Sequence, residues 1–265
     1  MSSLIKPGRL MFALGIIALG ILQFFAKDFI IGRPPAAEWA ADIPGKLSWA
    51  YASGAMLILA GLGVLLNIKA TVSSLLVGIM ILVFSFLLRH LPAAMKSTWE
   101  GILWNVNLYK TLALFGGTLI IAASFFAEQG RNGIGPFTNK ILILTGAVLL
   151  AIFFIESGCA HFKFADFIKD YFMPAYIPFR PFWTYFAGVA LIATGIGLLI
   201  QPTRRPAALL AGLMILLWFF LIHIPRAIKT PQENGEWMGV VESFAFGGIL
   251  FVLAGLLSKG NRKII

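Results

Sequence analysis

Leu88-Arg89-His90-Leu91-Pro92 recurs in this chain as Leu221-Ile222-His223-Ile224-Pro225. A pair of imidazoles on related helices could ligate a metal or haem iron, or hydrogen-bond a quinone carbonyl. The plainer use is structural. A histidine two residues before a proline, at a helix end, can cap carbonyls left without donors and meet the negative end of the helix dipole. A third histidine, His161, also ends an apolar stretch. Four ionisable residues, Arg89, Lys110, Glu156 and Glu242, lie inside apolar stretches, where a charge is costly and is usually paired or functional. By position along their stretches all seven residues sit towards one side of the molecule. Lys110 and Arg89 are therefore expected to face Glu156 or Glu242 in one outward-facing polar pocket, with the histidines beside it. Two readings of the charges stand side by side: ion pairs that lock the bundle, or a proton-linked or ligand-binding cluster.

The elements that must hold these residues follow from composition. Apolar residues make up 59% of the chain and charged residues 12%, far from the soluble average. Eight apolar stretches are long enough to cross a hydrocarbon core of about 30 Å. They lie near 9–26, 48–67, 71–89, 104–126, 139–161, 183–201, 206–222 and 238–257, and those at 71–89 and 206–222 are short for a span. Backbone groups in lipid must pair within their own segment, so continuous apolar runs predict helices, whereas a barrel would alternate apolar and polar residues. The expected fold is an all-α membrane bundle.

The repeated histidine motif belongs to a longer match. Residues 41–82 align without a gap on 175–216, with Pro44, Trp49, Tyr51, Gly54 and Gly61 meeting Pro178, Trp183, Tyr185, Gly188 and Gly195. Residues 18–30 align on 156–168, so the first apolar stretch belongs to the fold and is not a cleaved signal. The chain reads as a tandem duplication, 1–134 and 135–265. Each half has four spans, an even number, so the two run in the same direction through the membrane. Glycines 54 and 61, like 188 and 195, lie about two helical turns apart and mark faces for close helix packing. Glu156, Cys159 and His161 align with Ala18, Ile21 and Gln23, so the halves differ where a site could have been built.

The net charge is +10. One face, with both termini and the turns near 68–70, 127–138 and 202–205, carries ten Lys and Arg residues and a single acid, Glu128. The positive-inside rule makes that face cytoplasmic. The basicity then serves topology and anionic lipid headgroups rather than nucleic acid. The connections 27–47 and 162–182, rich in proline and aromatics, suit the opposite interface as anchors, as a lid, or as a binding rim. The single cysteine, Cys159, excludes an intrachain disulfide and reads as a small apolar residue. No CxxCH, Cys/His cluster, P-loop or GxSxG is present, so no metal site is expected, haem is disfavoured, and catalysis is left open.

Gly158-Cys159-Ala160-His161-Phe162, Ile177-Pro178, Tyr185-Phe186-Ala187-Gly188 and Thr203-Arg204-Arg205-Pro206 resemble the DoxX-like family of four-helix membrane proteins. Phe115-Gly116-Gly117 and Phe246-Gly247-Gly248 resemble that family's fourth helix, so the chain looks like two such units fused. Many members carry a glutamate after the Tyr…Gly element, where this chain has Leu57 and Leu191. The resemblance implies a bacterial-type inner membrane, a quinone as cofactor and an oxidoreductase subunit as partner. The leading expectation is a component of a quinone-linked membrane oxidoreductase system. The alternatives are a carrier for a small or lipid-like solute and a structural or assembly subunit.

Overall fold

The computed structural model describes residues 3–29, 44–129 and 136–258. Eight helices in it are long and apolar enough to cross a membrane: α1 (Ile5–Ala26), α2 (Lys46–Leu65), α3 (Ala70–Met95), α4 (Trp99–Glu128), α5 (Phe137–Lys163), α6 (Arg180–Leu199), α7 (Arg204–Lys229) and α8 (Asn234–Leu256). No strand occurs among the described residues. Most of the 27–47 connection, and the boundary expected at 134/135, lie outside them.

Each helix packs on its neighbours in the chain, α8 closes the ring against α1, and α4 meets α8 across the middle. The sequence dictates where backbones approach. A Cβ on Gly8 would sit 2.6 Å from the Gly248 carbonyl oxygen, so α1 and α8 touch backbone to backbone. Packing of this kind holds helices together where lipid gives no hydrophobic drive. Local contacts recur between the halves. Gly20 lies against Gly54 and Ile58, and Gly158 against Gly188 and Ile192. Gly61 meets Ala13 and Ile17 as Gly195 meets Ala151 and Ile155. Phe24 stacks on Tyr51 at 4.9 Å between ring centres, and Phe162 lies against Tyr185 at 5.7 Å. The residue before α2 and the residue before α6 both have positive φ, Gly45 at 71° and Phe179 at 52°. Glycine bears this conformation without strain, whereas phenylalanine pays for its Cβ.

The start of α1 and the end of α4 are joined by Arg9. Its guanidinium donates to Glu128 at 2.7 Å and to the Ser124 hydroxyl at 2.8 Å, and lies over the Phe125 ring. This is the end of the bundle at which the described chain starts and finishes, called here the terminal face. The other end is the far face.

The two stretches that read as short spans are not short. α3 and α7 each run 26 residues, about 39 Å at 1.5 Å per residue. Both continue through the His…Pro motif. A proline inside a helix offers no N–H and crowds the carbonyl four residues earlier, which is why the sequence suggests a helix end there. The chain instead widens into π-helix, over Ile81–His90 and over Phe219–His223. The looser turn accommodates the proline ring. His90 and His223 therefore stand within continuous helices, and the end-capping role expected for them does not arise.

Candidate functional site

A cavity of about 880 Å³ opens at the far-face end of the second half. It is walled by α4 to α8 and by the segment between α5 and α6. That segment is a helical turn (Ala165–Phe167) followed by a π turn (Ile168–Phe172), and Phe164, Phe172 and Tyr176 bring their rings to the cavity. Phe154, Trp183, Phe186, Trp218 and Phe246 add aromatic wall from the long helices. The surface is carbon-rich, with polar groups confined to a few positions.

Four of the seven residues singled out by the sequence line this cavity: Lys110, Glu242, His161 and His223. Arg89, His90 and Glu156 are not among its lining residues. The Lys110 ammonium donates to a Glu242 carboxylate oxygen at 2.6 Å, with both side chains buried. This pair joins α4 of the first half to α8 of the second at the inner wall. Removing both charges from water is costly, and close pairing offsets much of that cost.

His161 sits on α5, where Nδ1 lies 2.7 Å from the Ser157 carbonyl oxygen one turn earlier. A carbonyl only accepts, so Nδ1 carries the proton, and in the neutral ring Nε2 is an acceptor. The imidazole stacks on the Trp218 indole at 6.5 Å, which fixes its plane. His223 meets the edge of the Phe172 ring at 5.7 Å.

The remaining three lie elsewhere. Arg89 donates to the Phe29 carbonyl at 3.3 Å, fastening the segment after α1. His90 is buried, and its Nε2 has no hydrogen-bond partner among the described residues. Glu156 is buried on α5. One of its carboxylate oxygens accepts from the Ser157 hydroxyl at 3.5 Å, and the other has no partner among the described residues. Lys110 and Glu242 thus form the ion pair expected between halves, whereas among the described residues no ion pair joins Arg89 to either glutamate. Among the described residues no three His, Cys, Asp or Glu side chains gather as a metal site.

Two residues that sequence reasoning passed over hold the segment above the cavity. Pro225 cannot supply the N–H that the Leu221 carbonyl would accept in a regular helix, and the Tyr176 hydroxyl donates to that carbonyl instead. Arg226 donates to the carbonyls of Tyr171 and Phe172, at 2.6 and 2.7 Å, and to Glu236 at the start of α8. Its charge lies over the Phe172 ring. The available signal was the doubled proline motif, because a carbonyl deprived of its donor predicts a nearby hydroxyl. Along the same segment, the Lys169 hydrogen bond holds the Asp166 carboxyl below its usual range, and Asp166 raises the Lys169 ammonium in return.

At positions of the first half that align in sequence with cavity-lining residues, the residues differ. Gln23, the counterpart of His161, is fully buried and donates to the Ser53 hydroxyl at 3.2 Å. Ala52 stands where the second half has Phe186.

Residues 150–244 match a family described as Domain of unknown function (DUF8561). Every cavity-lining residue except Val106, Asn107, Lys110 and Phe246 falls in that stretch. No curated protein and no solved structure matches the chain.

Proposed function

We propose that this chain is a multi-pass inner-membrane protein that holds a lipid-soluble ring compound, of quinone type, in the second-half cavity on behalf of a membrane redox system. The observation that carries the reading is the cavity itself. Aromatic side chains offer flat faces to a ring, and a few polar groups stand at fixed points to orient it. His161, with Nδ1–H committed to Ser157, offers Nε2 to a ring hydroxyl when neutral, or donates to a ring carbonyl when protonated. The Lys110–Glu242 pair supplies a polar inner end. The chain's own residues bind and orient; electrons pass through a partner subunit. The resemblance to DoxX-like proteins points the same way.

The recurrence of the same contacts in both halves supports two parallel four-helix repeats about a pseudo-twofold axis. The basic terminal face supports cytoplasmic termini, which turns the cavity outward. The test is a titration of the purified protein in lipid nanodiscs with duroquinone, read by tryptophan fluorescence. The expected result is saturable quenching that weakens about tenfold in His161→Ala. Quenching that never saturates, or saturation unchanged in His161→Ala, would count against the reading.

A further inference from the structure

The cavity is closed on one side and open on another. Its inner wall is buried: Phe154 is 1% exposed and Leu191 3%. Three other lining residues face outward from the middle of their helices. Phe186 on α6 is 51% exposed, and Leu217 and Leu221 on α7 are 55% and 45%. Phe164, Phe167, Tyr176 and Trp183 also line the cavity and are exposed, but they sit at its far-face mouth, whereas these three lie deeper along their helices.

The neighbouring contacts explain why a side opening lies between α6 and α7. At the terminal face these helices are pinned together. Arg204 donates to the Leu198 and Leu199 carbonyls at 2.7 and 3.1 Å, the Thr203 hydroxyl donates to the Gly197 carbonyl, and a Cβ on Gly197 would touch Ala207 at 2.8 Å. At the far face the gap is bridged from above, where Tyr176 reaches the Leu221 carbonyl. What lies between pin and bridge is flanked by apolar side chains at the depth of the spans, so it gives onto lipid tails rather than water.

From this we infer that the cavity opens sideways onto the bilayer, and that its ligand is an amphiphile with a long hydrocarbon chain. The ring or polar head lies inward, towards Lys110 and Glu242. The chain leaves through the portal formed by Phe186, Leu217 and Leu221. This deepens the proposed function, from which the ring is taken, but the chain and the route rest on the portal alone.

The experiment measures binding of three probes, duroquinone, decylubiquinone and palmitate, to wild type, Leu217→Trp and Leu221→Trp in nanodiscs of one lipid composition. Membrane partitioning of each probe is the same for every variant, so differences between variants report the portal. Filling the portal is expected to weaken decylubiquinone at least tenfold while leaving duroquinone within twofold. Equal effects on both quinones, or none on decylubiquinone, overturn the portal and leave ring binding standing. Palmitate binding that is lost in the portal variants, with no binding of either quinone, overturns the ring reading and leaves the portal standing. No binding of any probe overturns both. Leu217→Ala guards against misfolding of the bulky variants: it is expected to keep decylubiquinone binding, and its loss there counts against the portal.

Discussion

At the scale of residues, the cavity wall carries two paired charges 2.6 Å apart. A lone buried charge is worse than none, because the partner's attraction is what offsets its desolvation. Lys110→Met is therefore expected to cost about 3 kcal/mol of stability, and Glu242→Gln a comparable amount. The double variant Lys110→Met/Glu242→Gln should cost clearly less than the sum of the two. Thermal unfolding in detergent checks this, and strictly additive losses would show that the pair is not coupled. Sequence alone identified both residues, because charge inside an apolar run is rare. It could not say which acid Lys110 meets. Glu156 and Glu242 are alike in type and depth, and only the packing of α4 on α8 decides between them. The tryptophan and tyrosine contributions were hidden for the opposite reason: in a chain with 14% aromatic residues, one more ring is not a signal.

At the scale of elements, the informative departure is the run of helix through Pro92 and Pro225. Apolar run length located both spans but ended them early, since helix continuation past proline depends on a π turn that no local pattern announces. The Tyr176–Leu221 hydrogen bond gives this a measurable consequence. Tyr176→Phe should cost about 1 kcal/mol. In a Pro225→Ala background, alanine returns the missing N–H to the Leu221 carbonyl, so the same change should cost less than half of that. A double-mutant cycle by thermal unfolding reads the difference; equal costs in both backgrounds would mean that proline is not the reason for the contact. A second element-level outcome concerns the start of α6. Phe179 is held at φ 52° and is largely exposed, where its counterpart is Gly45. Phe179→Gly should raise stability by about 1 kcal/mol; a fall of that size would mean that the ring's interfacial contacts outweigh the backbone strain.

At the scale of the whole molecule, the eight-helix plan was legible because hydrophobic length is the strongest signal a sequence carries. The ring order, with α8 closing on α1 and α4 meeting α8, was not legible, since every span is apolar on all sides. The asymmetry between halves was legible only in part. Gln23 aligned with His161 marked a difference, but the cavity beside it is walled by aromatic side chains from α5 to α8 that no single position announces. The basic terminal face gives one global expectation: a C-terminal reporter fusion should be active in the cytoplasm, and activity confined to the opposite side would reverse the orientation and turn the cavity inward.

The central claim is that the second-half cavity holds a lipid-soluble ring compound. Its most direct test is organic extraction and mass spectrometry of the protein purified from its own membranes, beside the Lys110→Met/Glu242→Gln variant. The account predicts close to one ring-bearing, long-chain molecule per chain in the wild type and a marked loss in the variant. A protein that carries only bulk phospholipid, or a water-soluble solute, would contradict it.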